Sequence, residues 1–226
     1  MFTSKEKRIA ALNDVDLYPV TSQEHSAGRT TLDIVDALAA AGCHMIQLRE
    51  KTLSKRAYYE LALEVRARTH GILLICNDHL DVALAVGADG VHLGTDDLPL
   101  VAARRLAPHL ILGASTHNLD EALQAQAAGA DYINIGPVFP TQTKEGHDHF
   151  LGIQGVAEIA RHIQVPFTVM GGIKEEHIPD LVRVGARRIA LVTAVTAAPS
   201  PLEAAHSLRN AIHKALENQE SGHPSE

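Results

Sequence analysis

ILLICNDHLDVALAVGADGVHLGTDD, running from Ile72 to Asp97, reads as strand, short helix, strand, with a carboxylate at the exit of each strand. The run Ile72 to Cys76 is apolar throughout and breaks at Asn77 and Asp78, the pattern of a parallel strand covered on both faces. His79 to Val86 has helical apolar spacing and stops at Gly87, which takes a left-handed cap without penalty. Val91, His92 and Leu93 make the next strand and exit through Gly94 into Thr95, Asp96 and Asp97. Were the two strands parallel neighbours, Asp78 and Asp97 would face one another across a cleft. Two carboxylates held that way repel unless a cation lies between them, so the pair points to a divalent metal. Taken alone, Asn77–Asp78 is more often a turn and helix cap.

The same alternation extends in both directions. Strands are expected at Leu17 to Val20, His44 to Leu48, Leu110 to Ala114, Tyr132 to Ile135, Pro166 to Met170 and Ile189 to Val192. Between them lie amphipathic helices at Leu32 to Ala41, from Ser54 to about Arg68, from Pro99, from Asn118 to Ala128, Ile153 to Ile163 and Glu175 to Val184. Pro201 to Glu217 closes the chain. Thr31, Ser54 and Asn118 are the expected N-caps, and AGC, VGAD, AGAD and VGAR recur as helix stops. Eight strand–helix units in this length predict an α/β fold, a single-domain (β/α)8 TIM barrel. An open doubly wound sheet would show a glycine-rich phosphate loop after its first strand, and none is there. The expected boundaries are 1–15 for an N-terminal capping segment, 16–217 for the barrel and 218–226 for a polar tail.

Composition agrees. The 226 residues suit one large domain, and 46% are hydrophobic while only 4% are aromatic, so the core is built from Val, Ile, Leu and Ala. A net charge of −7 argues against a general nucleic-acid binder. Cys43 and Cys76 fall in or beside core strands and read as small buried hydrophobes, not a disulfide. The N-terminus lacks the apolar segment of a signal peptide and no stretch reaches membrane-spanning length, so a cytoplasmic protein with no membrane partner is expected.

In barrels the site is built from the loops after the strands. Those exits are rich here: Gln47, Arg49 and Lys51; Asn77 and Asp78; Asp97; Ser115 and His117; Thr141, Thr143 and Lys144; Gly171 and Gly172; Thr193. Arg49, Lys51 and Lys144 supply fixed positive charge for a polyphosphate, and Asp78 with Asp97 suits magnesium plus phosphate oxygens. The paired glycines and the last strand exit suit a second, backbone-lined anion site. Two anion sites imply a reaction between two phosphorylated molecules. Each element has a plainer reading: QLREK as a surface charge cluster, Gly171–Gly172 as a tight exit, His147, Asp148 and His149 as a solvated loop, His92 as a satisfied barrel histidine. What weighs against those is that every functional reading falls at one end of one barrel.

QLREK, the ND of ICND, VHLGTDD, LGASTH, GPVFPTQTK and GGI occur in that order at strand exits. Over about Leu17 to Thr196 the chain resembles the thiamine-phosphate synthase family. The resemblance implies a magnesium-dependent transferase that condenses 4-amino-2-methyl-5-(diphosphooxymethyl)pyrimidine with 4-methyl-5-(2-phosphooxyethyl)thiazole by a dissociative substitution. It also implies Gln47 and Asn77 on the pyrimidine or its diphosphate, Ser115 near pyrophosphate, and Thr141, Thr143, Gly172, Val192 and Thr193 on the thiazole phosphate. A homo-oligomer is implied at family level only. The chain departs from the family's usual pattern at Ser22, where an Asp is common, at Thr193, where Ser is usual, and in the histidine-bearing loop KEGHDHF. Two rivals are a thiazole tautomerase using His117 and a non-catalytic barrel that binds phosphorylated ligands. Asp97, Thr143 and Lys144 favour the synthase over the first, and the intact carboxylate pair over the second.

Overall fold

The computed structural model describes Phe2, residues 4–141 and residues 150–222. Helix α1 (Lys5–Asn13) precedes β1 (Leu17–Pro19), and then strands and helices alternate. They are α2 (Thr31–Ala40), β2 (Met45–Leu48), α3 (Lys55–Arg68), β3 (Leu73–Asn77), α4 (Leu80–Ala85), β4 (Gly90–Leu93), α5 (Leu100–Leu106) and β5 (Ile111–Thr116). The second half contains α6 (Leu119–Ala127), β6 (Tyr132–Ile135), α7 (Gly152–His162), β7 (Phe167–Val169), α8 (Ile178–Arg183), β8 (Ile189–Leu191), α9 (Thr193–Thr196) and α10 (Pro201–Glu220). All eight strands pair in parallel in the order β1-β8-β7-β6-β5-β4-β3-β2. The ring closes between β1 and β2, where Val20 pairs with Gln47 and the Thr21 N–H donates to the Gln47 carbonyl at 2.9 Å. This is the expected (β/α)8 barrel.

Local signals place most boundaries. Ser54 and Asn118 cap α3 and α6 as read, accepting from Ala57 N and Glu121 N. The α2 cap is Thr30, one residue before the expected Thr31, because Thr30 and Asp33 form a reciprocal capping box. Pro99 sits at the cap of α5. The helix expected at Glu175 to Val184 divides into a 3-10 turn, Glu175–His177, and α8, whose first turn accommodates Pro179. A proline has no N–H to extend a continuous ladder through that point. The one-turn α9 was not anticipated, since four residues show no periodicity. Helix α10 continues to Glu220, past the expected Glu217.

Two cores result. The larger lies between strands and helices and includes Cys43 and Cys76, both buried free thiols. The smaller fills the barrel's amino-terminal half with Met45, Leu73, Ile75 and Ile111, plugged from below by Leu12 and Val15. Burying Leu12 fully is worth about 2 kcal/mol. Asp89 pins this end: its carboxylate accepts from Arg66, from Leu74 N and from Arg8 of α1. Asp131 repeats the device with Arg104, Leu112 N and Lys5 of α1. The carboxyl-terminal end of the strands is left to polar side chains.

Candidate active site at the carboxyl ends of the strands

At the β3 exit the chain must turn out of the sheet at once. Asp78 does so in the left-handed region, φ 61°, unusual for a residue with a Cβ but tolerated by Asp. Its N–H donates to the His92 carbonyl at 2.9 Å, which ties the β3 exit to β4. The carboxylate lies toward the cleft, where Lys51 Nζ meets Asp78 Oδ2 at 2.5 Å. Asp97 is held by the loop after β4, accepting from Gly94 N at 2.7 Å. Burial, then the adjoining Asp78 carboxylate, hold the Asp97 carboxyl above its ordinary range, against the opposing pull of Gly94 N–H and Lys51. The two acids therefore face each other, as their places at neighbouring exits predict. No cluster of three or more His, Cys, Asp or Glu side chains suited to a metal occurs among the described residues. A pair of carboxylates is nonetheless the donor set magnesium uses when substrate phosphates complete its shell.

Cations flank the acids. Arg49 and Lys51 leave β2 together, and both line the same cleft of about 250 Å³. No carboxylate among the described residues pairs with the Arg49 guanidinium, which is half-buried and so suited to an anion. The backbone here is braced. Arg49 N donates to Thr21 Oγ1 at 2.9 Å, and Thr21 Oγ1 donates to the buried Glu50. Tyr58 Oη joins the β2 and β3 exits, donating to the Leu48 carbonyl at 2.7 Å and accepting from Asn77 N at 3.1 Å.

Across the mouth, the loop after β6 is stitched to the glycine turn after β7. Val138 N donates to the Met170 carbonyl and Phe139 N to the Gly171 carbonyl, both at 2.9 Å. Gly171 and Gly172 have φ of 103° and 62°, and a Cβ on Gly172 would lie 2.8 Å from the Phe139 carbonyl oxygen and overlap that of Pro140. Glycine is required for this approach. Thr141, Gly171 and Val192 line the cleft, and α9 begins at Thr193. A short helix after the eighth strand is a common part of barrel phosphate sites.

The cleft thus gathers Gln47, Arg49, Lys51, Asn77, Asp78, Asp97, Ser115, Thr141 and Val192 from the sequence reading. Gly172 and Thr193 stand beside it without lining it. Thr143, Lys144, His147 and His149 lie outside the described residues. His117 lines the cleft with its Nδ1 2.8 Å from Glu121 Oε2. The floor was not anticipated. Tyr18, His92, Asn134 and Met170 form it; His92 is the satisfied barrel histidine expected, with both ring nitrogens bonded, and it lines the cleft as well. No local signal marks them: Tyr18, Gln47, Asn77 and His92 share the interior only once the strands are in register, Asn77 and His92 as direct partners.

Comparison with known proteins bears on the reading. The family model described as thiamine monophosphate synthase matches residues 17–195. The thiamine-phosphate synthase of Chloroflexus aurantiacus is 45% identical over 203 residues, covering 89% of this chain and 94% of that one. That of Shouchella clausii is 41% identical over 202 residues, 88% and 97% of the two chains. Among solved structures, thiamine phosphate pyrophosphorylase from Pyrococcus furiosus superposes with a TM-score of 0.83 at 34% identity, covering 90% of this chain and 98% of that one. The first two bear the synthase name and the third the pyrophosphorylase name; none of the three bears a tautomerase or sensor name. With a match that spans the barrel from its first strand to the helix after its last, the chain belongs to the thiamine monophosphate synthase family.

Proposed function

We propose that the barrel mouth joins 4-amino-2-methyl-5-(diphosphooxymethyl)pyrimidine to 4-methyl-5-(2-phosphooxyethyl)thiazole, releasing pyrophosphate and thiamine monophosphate by a dissociative route. The observation that supports this division of labour is the Asp78–Asp97 pair with Lys51 against it, set opposite a glycine-lined turn. The reaction is an alkyl-group transfer. The C–O bond to the diphosphate breaks first, pyrophosphate departs with the electron pair, and a pyrimidine methylene cation remains. The thiazole nitrogen then supplies the pair that forms the new C–N bond. No side-chain nucleophile is needed.

Each wall has its task. Gln47 and Asn77 hold the aminopyrimidine and its diphosphate. Arg49, Lys51 and Lys144 neutralise charge that grows on the leaving group, and Ser115 donates to it. Asp78 and Asp97 would hold magnesium, which would supply further charge neutralisation to pyrophosphate. Thr141, Thr143, Gly172, Val192 and Thr193 orient the thiazole phosphate. The floor of Tyr18, His92, Asn134 and Met170 keeps water from the cation, which water would otherwise trap as the alcohol.

The proposed setting is the cytoplasm, with small-molecule substrates, no nucleic-acid partner and a homo-oligomeric state. No helix among the described residues is long and apolar enough to cross a membrane. The deciding experiment mixes purified protein, both substrates and magnesium chloride, and follows thiamine monophosphate by chromatography. Absence of product sinks the proposal. Asp78→Ala and Asp97→Ala are expected to cut coupling at least a hundredfold while leaving thiazole phosphate binding within twofold.

A further inference from the structure

Five side chains form one continuous line of hydrogen bonds inside the barrel. Gln47 Nε2 donates to the Tyr18 hydroxyl at 2.7 Å, and that hydroxyl lies 2.8 Å from the hydroxyl of Tyr132. Tyr132 Oη is 3.0 Å from His92 Nδ1, and His92 Nε2 is 3.0 Å from Ser115 Oγ. The line starts on β2, crosses β1, β6 and β4, and ends on β5. Its first four members are no more than 5% exposed. Burial holds both phenols above their ordinary range, so each hydroxyl keeps its hydrogen. The rings are fixed as well. Tyr132 meets Tyr18 edge-on with centroids 5.9 Å apart and stacks on His92 at 5.6 Å. Gly113 leaves the space that the Tyr132 ring fills, since a Cβ there would overlap it.

Such a line has a direction. With the Gln47 amide donating, Tyr18 passes its own O–H to Tyr132, and Tyr132 passes its O–H to His92 Nδ1. His92 then carries its hydrogen on Nε2 and donates to Ser115, whose O–H is directed away from the ring. Turning the amide over reverses every bond, so that Ser115 donates to His92. A mixed direction would orphan a buried hydroxyl, so the line switches as a unit. The donating orientation of Gln47 is also the one that fits an aminopyrimidine edge. Oε1 accepts from the exocyclic amino group, the second Nε2 hydrogen reaches the ring nitrogen, and the first stays on Tyr18.

We propose that this line couples the two ends of the pyrimidine diphosphate site: the Gln47 orientation that recognises the ring sets Ser115, through Tyr18, Tyr132 and His92, as a hydrogen-bond donor to the departing diphosphate. His92 is a positioning residue that acts through Ser115. The ligand assignment rests on the synthase reading above, whereas the direction of the line is a property of the protein alone.

The tests separate the two. Nitrogen-15 spectra of the histidine rings, taken on the substrate-free protein, are expected to show the His92 proton on Nε2. In Gln47→Glu, whose carboxylate only accepts, the line reverses and a proton appears on Nδ1, three hydrogen bonds from the substitution. A proton on Nδ1 in the wild type, or a His92 signal unmoved by Gln47→Glu, overturns the proposal whatever the activity. In turnover, His92→Phe is expected to lower kcat about tenfold with the KM for the pyrimidine diphosphate within twofold. That is less than the 10²–10³ seen when a transition-state donor is lost outright. The same change in a Ser115→Ala background is expected to cost nothing further, and full additivity overturns the coupling. If neither protein makes thiamine monophosphate, the synthase reading fails, and the spectra still decide the direction of the line.

Discussion

Gly172→Ala is the substitution whose consequence the geometry fixes most tightly. The new methyl faces two costs. At φ 62° a residue with a Cβ is strained by about 1–2 kcal/mol. The Cβ would also lie 2.8 Å from the Phe139 carbonyl oxygen, about 0.5 Å inside a close C···O contact, and would overlap the Pro140 oxygen. Those oxygens belong to backbone stitched to Gly171, so they yield only by moving the whole segment that leads to Thr141. Overpacking of this kind costs about 1–3 kcal/mol. The sum, about 2–5 kcal/mol, corresponds to a fall in Tm of about 5–15 °C in a chain of this size. Loss of one backbone hydrogen bond to a phosphate, about 1.5–3 kcal/mol, raises the KM for the thiazole phosphate about 10- to 100-fold. The KM for the pyrimidine diphosphate should stay within about threefold, because that site lies on the opposite wall. Gly129→Ala is the control: its φ is 88° but no atom lies within 4 Å, so strain appears without a KM effect. Steady-state kinetics with each substrate varied in turn, beside thermal melts, reads all of this. A folded Gly172→Ala protein with an unchanged thiazole phosphate KM, or with both KM values raised equally, refutes the reasoning.

Asp97 tests the carboxylate pair. Its raised carboxyl means that the folded state holds the proton more tightly than the unfolded chain. That contribution to stability is present below the ordinary Asp range and is lost as pH rises through the folded value. Asp97→Asn is therefore expected to melt higher than the wild type at neutral pH without metal, to lose this segment of the pH profile, and to gain nothing from magnesium chloride. A wild-type melt that magnesium leaves unmoved would contradict it. Asp89→Asn leaves the Arg66 guanidinium buried against a neutral amide and is expected to cost about 3–5 kcal/mol by urea unfolding, with kcat preserved at a temperature where the variant is folded. Tyr58→Phe orphans Asn77 N–H and the Leu48 carbonyl and is expected to cost about 1–3 kcal/mol. Because it frees the exits that carry Arg49 and Asp78, the KM for the pyrimidine diphosphate should rise while that for the thiazole phosphate does not.

Much of the site was legible because a barrel converts chain order into spatial order. Once Ile72 to Asp97 is read as two parallel strands, Asp78 and Asp97 must open on one side, and the cleft does collect both with Arg49 and Lys51. The floor was less visible. Strands of three to six residues buried on both faces show no polar–apolar alternation, so nothing local separates Tyr18, which points inward, from Leu17, which does not. His92 is the satisfied barrel histidine that the sequence suggests, but its partners and its place on the cleft were not legible. Its bonds to Tyr132 and Ser115 join residues 40 and 23 positions away.

The sequence by itself determined the repeating strand–helix unit, the helix stops at Gly42, Gly87, Gly129 and Gly185, and the end of the barrel that holds polar groups. All four glycines adopt positive φ, as a left-handed cap demands. These are properties of neighbouring residues, governed by propensity, capping and periodicity. Only the tertiary structure decided which strand residues share the interior, how closely the Gly172 turn meets Pro140, and that Gln47, Tyr18, Tyr132, His92 and Ser115 form one line. Those depend on ring closure and stagger, which bring together side chains from five strands that no local pattern relates. The opening stretch shows both levels. Its two acids were evident from their positions at strand exits, and only packing revealed that burial, with the adjoining Asp78, raises the Asp97 carboxyl above its ordinary range.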